Sequence, residues 1–510
     1  EGIFEKRYGY DPVTGNSAMP VPKDPGNGEG FKYSDLVSYA NAMDQLSGQE
    51  IEENRFASFY GALDYSLFDR YVLNVSFRTD GSNNFGSDEQ FNPTWSAGAV
   101  WHVSEETFME VVRPVLSRLS LRVATGYTGN INKTVKPNLM MKYYKNFRIS
   151  DDENYRMGYI NNAPNPKLRW EKTRDVKVAL DFGLWKDRIN GIVEAYWRKS
   201  KDCVTSEYVP VTTGFFNQSY NTSVLQNNGV EFSLSVAVLK SKDYNLSVSA
   251  NVAWNQNKLK KYNSPNTSLA LDKYVGYPMG AVFSGKYEGI DPETGMYKFK
   301  LRPDAVTNKD GYLREPNNYY YYLGTSVAPF TGGFNLNFSY KNIGLSVGGS
   351  YSVKAKMVDN IESPAGYELL SGSKLESIPT PHNDLYRNHL NVKREVRNRW
   401  TPENRTGVKY PRLIDAYGKK LGLDLTNPTL TTITRGALLE DISYLRINTI
   451  ALSYSLPQRV LERINFSSAA LNLTLNNFFT ITKYSGIDPD VPGATYPVSR
   501  SVTIGLNVGF

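Results

Sequence analysis

The chain has 510 residues, a formal charge of +7, 40% hydrophobic and 13% aromatic residues, and a mean hydropathy of -0.45. No stretch approaches the roughly 20 apolar residues of a membrane helix. The single cysteine, Cys203, excludes an intrachain disulfide and a Cys-based metal site, and the dispersed basic residues form no run suited to nucleic acid.

The first residues, Glu1-Gly2-Ile3-Phe4-Glu5, are neither basic nor followed by an apolar stretch. An exported protein with this start begins downstream of processing or within a longer chain. From Phe56 onward, apolar and polar residues alternate, the period of a strand with one greasy and one wet face. Phe59 to Leu67 turns at Phe68-Asp69-Arg70 into Tyr71 to Phe77, followed by Trp95 to Val103 and Leu119 to Tyr127. Val176 to Leu184 turns at Lys186-Asp187 into Ile189 to Trp197, and Val230 to Val238 turns at Ser241-Lys242-Asp243 into Tyr244 to Trp254. Phe334 to Tyr340 turns at Lys341-Asn342 into Ile343 to Tyr351. Ile450 to Tyr454, Ala469 to Leu475 and the terminal Val502 to Phe510 complete about thirteen segments. Each suits a tilted strand of roughly 9–11 residues, which crosses a bilayer.

Connections alternate between short and long, the pattern of an antiparallel outer-membrane barrel with short periplasmic turns and long external loops. The expected fold is all-β, a transmembrane antiparallel β-barrel to which this chain supplies about thirteen strands. Long extracellular loops are expected at 129–169, 199–228, 257–328, 354–440 and 483–497. Tracing back from a periplasmic Phe510 places residues 1–55 outside, as an extracellular segment, and residues 56–510 in the barrel. Single-chain bacterial barrels carry even strand numbers. An odd count therefore predicts the carboxy-terminal portion of a larger barrel, lacking an odd number of strands.

Several stretches carry sharper information. They include Arg78-Thr79-Asp80-Gly81-Ser82-Asn83-Asn84-Phe85-Gly86, Pro93 through Trp101 with Ser104-Glu105-Glu106, and Ser120 through Asn130. Asn165-Pro166-Lys167-Leu168-Arg169-Trp170-Glu171, Gly289-Ile290-Asp291-Pro292 and Arg399-Trp400-Thr401-Pro402 follow. Leu439 through Arg446 and Asn476 through Pro489 end the series. Together, collinear from about Phe56 to Phe510, they resemble the SusC-like TonB-dependent transporters of Bacteroidetes outer membranes; residues 1–55 match poorly. The resemblance implies a 22-stranded barrel with a plugged lumen, and a TonB-binding box ahead of an amino-terminal plug. It also implies a SusD-like surface lipoprotein over the external loops and the barrel-assembly machinery as a partner. Neither plug nor TonB box lies within these residues, so the plug and the remaining strands belong to residues outside this sequence.

No Gly-x-Ser-x-Gly elbow, His-Glu-x-x-His pair or Walker loop occurs. Gly26 through Gly30 reads as a flexible loop, and Asn308 through Gly311 as a turn, because Glu315 falls too early for an EF-hand. His102 faces the lumen as a solvated histidine; His382 and His389 complete a sparse set. No catalytic, cofactor or metal residue is expected. Tyr143, Tyr144, Tyr319, Tyr320, Tyr321 and Tyr322 are candidate ligand or partner contacts, since tyrosine suits both sugar stacking and protein interfaces. A protein interface or simple loop packing is the plainer reading of the same residues. Trp95, Trp101, Trp197 and Trp254 read as membrane girdle anchors, and Phe510, by the resemblance, as the barrel-assembly signal. The expected function is uptake of oligomeric nutrients, glycan or peptide, energised through TonB. A structural or assembly subunit of an envelope complex is the alternative.

Overall fold

The computed structural model describes residues 2–7, 48–53, 55–130, 135, 137–148, 154–215, 217–262, 274–293, 295, 297–305, 318–358, 398–408, 435–492 and 496–510. Gly26 through Gly30, Asn308 through Gly311, His382 and His389 lie outside the described residues.

Thirteen strands form one antiparallel meander in which every strand pairs with its neighbours in sequence order. They are β1 (Phe56–Leu67), β2 (Tyr71–Ser82), β3 (Phe91–His102), β4 (Leu116–Asn130), β5 (Glu171–Leu184), β6 (Ile189–Tyr208) and β7 (Asn217–Lys240). The sheet continues through β8 (Tyr244–Lys261), β9 (Phe330–Tyr340), β10 (Ile343–Val353), β11 (Tyr444–Ser455), β12 (Ser468–Thr482) and β13 (Ser501–Gly509). The outermost strands, β1 and β13, each have one neighbour, so the sheet is open. Gly2–Arg7 pairs with Gly48–Glu53 in a separate two-stranded ladder.

Turn chemistry fixes one end. Phe68 and Asp69 take φ of 53° and 56° between β1 and β2, and Trp185, Lys186 and Asp187 are all left-handed between β5 and β6. Such primed turns match strand twist and hold the register tightly. A short helix, α1 (Gln458–Ile464), joins β11 to β12 at this end. The other end carries the long connections, and the ladders run well into them. β6 stays paired with β7 out to Tyr208 opposite Asn217, so most of the expected loop 199–228 is strand. The expected loop 129–169 likewise contains a hairpin of Met140–Arg148 against Asn154–Asn162.

Register places the apolar rows on one face. Tyr71, Trp101, Leu121 and Leu180 align across β2–β5, and Leu336, Val347, Ile450, Leu475 and Val502 align across β9–β13. Among the described residues these rows pack against no second layer. Leu180 is 40% exposed, Val230 42% and Leu452 43%, although all three sit on interior strands. Exposed contiguous apolar surface on this scale requires a non-aqueous neighbour. The small buried cluster of Ala355, Ile442 and Tyr484 lies instead at the long-loop end, packed with Ala328 and Met357.

Candidate functional site

The opposite, polar face divides into two arcs. On β4–β7 it carries Arg122, Asp175, Lys177, Asp181, Glu194, Arg198 and Glu231. Arg122 grips Asp181 with two hydrogen bonds of 2.6 and 3.1 Å, Arg198 reaches Asp175 at 2.9 Å, and Lys177 reaches Glu194 at 3.3 Å. These pairs remain partly exposed, so each contributes little stability, about 0–1 kcal/mol; their effect is to fix a charged surface in place. His102 lies beside them, its Nδ1 3.0 Å from the Ser120 hydroxyl.

Charge then stops. From Asn245 to Asn257, Thr331 to Ser339, Gly344 to Ser352, Thr449 to Ser453, Ala470 to Asn476 and Ser501 to Gly509, the polar face presents only Asn, Ser, Thr, Gly and Ala. Asn251 Oδ1 accepts from the Gly333 amide at 2.6 Å, and the Ser346 hydroxyl donates to Asn337 at 2.8 Å. A recess of about 440 Å³ spans the boundary between the arcs, lined by Arg118, Asn190, Ser233, Ser249, Asn251 and Asn335 among others. Arg118 apart, that lining offers donors and acceptors without fixed charge.

At the long-loop end the strands are tied into a collar. Phe85 stacks on Trp170 with centroids 4.6 Å apart, joining the β2–β3 connection to the segment ahead of β5. Asn221 receives the Arg169 amide and donates to the Arg169 and Asp202 carbonyls, while the Arg169 guanidinium pairs with Asp202 at 2.8 Å. Gly86 is required here because a Cβ would lie 1.8 Å from the Pro166 carbonyl oxygen. Gly86→Ala is therefore expected to destabilise by about 1–3 kcal/mol through overpacking. Limited proteolysis of residues 83–90 reads that loosening directly.

Further round, Arg446 is 3% exposed and holds Asp488, with Asp490 at 3.5 Å. The Tyr444 hydroxyl donates to Asp490 at 2.6 Å, and Glu440 receives both the amide and the hydroxyl of Ser485. Burial alone raises the Asp488 pKa, but the amides of Asp490 and Val498 and the Arg446 guanidinium outweigh it and leave the carboxyl below its ordinary range. The last long loop is thereby pinned back onto β11 and the Leu439–Asp441 strand ahead of it.

The sequence-derived candidates fall in several places. Tyr320, Tyr321 and Tyr322 form part of a strand, Tyr320–Thr325, paired with Ala281–Gly285. Tyr319 sits in the turn before it. Tyr322 packs against Tyr277 and Phe283 at 4.9 and 5.7 Å, and the Tyr321 hydroxyl donates to the Leu301 carbonyl. Tyr322 and Tyr277 also border a cavity of about 300 Å³ with Trp254, Asn257 and Lys258. Tyr143 and Tyr144 belong to the Met140–Arg148 strand, and their side chains lie outside the described residues. Trp95, Trp101, Trp197 and Trp254 all share the apolar face. Phe510 meets Phe466 edge-on at 5.0 Å. Sequence reasoning missed Glu106, which collects Tyr71, Trp101 and Arg70 at the short-turn end. The Tyr71 hydroxyl first, and the Trp101 indole next, hold its carboxyl below the usual range. Its only sequence signal was the Ser104-Glu105-Glu106 motif.

Residues 6–361 match the family model described as TonB dependent receptor-like, beta-barrel. The chain belongs to that family. The match spans β1–β10 and takes in most of the amino-terminal stretch that the motifs leave unmatched. TonB-dependent receptor SusC of Bacteroides thetaiotaomicron is 27% identical over 488 residues, covering 90% of this chain and 44% of that protein. TonB-dependent receptor P26 of Formosa agariphila is 26% identical over 498 residues, covering 89% of this chain and 46% of that protein. The structure of the RagAB peptide transporter superposes with a TM-score of 0.72 at 26% identity, over 91% of this chain and 48% of that one. The chain thus spans about half the length of the relatives it matches. As a member of this family it is a SusC-like stretch of outer-membrane barrel wall, its apolar rows facing lipid and its polar face lining the lumen. The open sheet is the part of that wall these residues supply.

Proposed function

We propose that this chain supplies wall, lumen surface and external loops to a SusC-like importer of oligomeric nutrients, glycan or peptide. A SusD-like lipoprotein would cap the external loops, and TonB would act through a plug-bearing region beyond these residues. The observation that carries this reading is the thirteen-strand two-faced meander itself, with its outer rows exposed and its lumen face divided into charged and neutral arcs. The likeness to SusC and to the RagAB peptide transporter supports the importer class. Tyr277, Tyr322 and the cavity beside them are candidate ligand contacts, since aromatic faces flanked by Asn257 and Lys258 suit sugar or peptide groups. Phe510 and its edge contact with Phe466 fit a terminal assembly signal.

Deleting the gene in the parent bacterium is expected to abolish TonB-dependent uptake of a labelled oligosaccharide or peptide from a mixed panel. The intact gene is expected to restore it. Unchanged uptake of every panel member, with loss of an envelope complex instead, would favour the structural-subunit role.

A further inference from the structure

The connection between β3 and β4 leaves an apolar surface that the sheet does not use. After Glu106 the chain makes tight turns, with Met109 N bonded to Glu106 O, Arg113 N to Met109 O and Leu116 N to Val112 O. They bury Met109 and turn its neighbours outward: Phe108 is 63% exposed, Val111 88%, Val112 43% and Val115 50%. A connection of this length needs no such cluster to reverse the chain.

Glu106 decides which side of the wall this segment occupies. It accepts from the Tyr71 hydroxyl at 2.5 Å and the Trp101 indole at 3.1 Å, and both residues belong to the lipid-facing row. The segment therefore leaves the wall on its outer side, continuous with the lipid belt and away from anything that fills the lumen. The adjoining β5–β6 turn extends the same surface. The Trp185 amide donates to the Val115 carbonyl at 2.7 Å, its indole is 51% exposed, and Lys186 follows it. An indole beside a cation suits the depth where acyl chains meet phosphate headgroups.

We infer that the β3–β4 connection is an interfacial wedge. Phe108, Val111 and Val112 enter the periplasmic leaflet at the headgroup–acyl boundary, with phospholipid as the occupant of the exposed patch. Short barrel turns lie at the periplasmic side, and apolar side chains on a compact turn insert by the same partitioning as an amphipathic interfacial helix. The inference is independent of which solute the barrel carries.

The test places an environment-sensitive fluorophore on Val111→Cys, in a Cys203→Ser background of the complete protein reconstituted in phospholipid vesicles. Emission is expected to be blue-shifted and quenched at least about twofold when brominated phospholipid replaces the normal lipid, as for a partitioned interfacial residue. A label on Ser241→Cys, in the β7–β8 turn, is expected to stay water-like and unquenched. Phe108→Cys gives a second reading should Val111→Cys fail to assemble. A water-like label at both wedge positions overturns the inference. So does a label shielded from water yet untouched by brominated lipid, which would mean that a protein covers the patch.

Discussion

Arg446→Met is expected to be among the most damaging single substitutions in the collar at the long-loop end. Arg446 and its main partner Asp488 are both buried, with side chains 3% and 7% exposed. Removing the guanidinium leaves a carboxylate without its charge partner in a nearly water-free site, which destabilises by about 3–5 kcal/mol. Asp490, with its side chain 42% exposed and at 3.5 Å, adds less. The damage is expected to appear as rapid protease cleavage between residues 483 and 500 and as a lowered unfolding midpoint of the complete protein. Adding Asp488→Asn to Arg446→Met is expected to recover part of the loss, because the two positions share one interaction and are not additive. The linkage has a definite sign. Asp488 titrates lower folded than unfolded. Its contribution is full above the ordinary Asp value of about 3.9 and disappears as pH falls through the lowered folded value. The pinned loop of the wild type is therefore expected to resist protease at neutral pH and loosen only in strong acid.

All thirteen strands were legible in the sequence because period-two alternation is local. Val176-Val178-Leu180-Phe182 reads as a one-faced strand without knowledge of its partners, and β5 includes those residues. Strand length was less legible. Asn217 through Asn228 is mostly polar on both faces, so its pairing with β6 leaves little hydrophobic signature; hydroxyl contacts such as Thr205 with Thr222, and Thr222 with Glu207, supplement the backbone ladder there. The partition of lumen charge was hidden for a different reason. Glu194 and Arg198 are visible residues, but only register sets Arg198 against Asp175 and leaves the row through Ser249, Asn335 and Gly348 uncharged. The collar was half-legible. Phe85 and Trp170 each stood in a motif, and nothing in the chain's local chemistry announces that they stack. Arg446 and Asp488 likewise sat in two separate motifs that only the fold joins.

The second large effect contrasts two neighbouring residues of β8. Val248 aligns with Val236 and Leu336 on the outer face, and Ser249 aligns with Ser235 and Asn335 on the inner one, near the middle of the span between Tyr244 and Trp254. Val248→Arg is expected to destabilise the folded barrel by about 2–4 kcal/mol, the penalty for a cation at the lipid midplane. Ser249→Arg enters a polar lumen among neutral partners and is expected to fold almost normally. Urea titrations of the complete protein in vesicles read both. The penalty on the outer face is expected to fade toward Tyr244 and Trp254, because it follows bilayer depth, whereas a packed protein core would show no such gradient.

The most direct measurement places spin labels on Val248→Cys and Ser249→Cys and compares their collisions with oxygen and with a water-soluble nickel complex. Lipid on one face and lumen on the other predicts oxygen-dominated collisions at residue 248 and a marked shift toward nickel at residue 249. Exclusion of both reagents at residue 248 would show a protein layer over the Val, Leu and Phe rows and contradict the membrane wall.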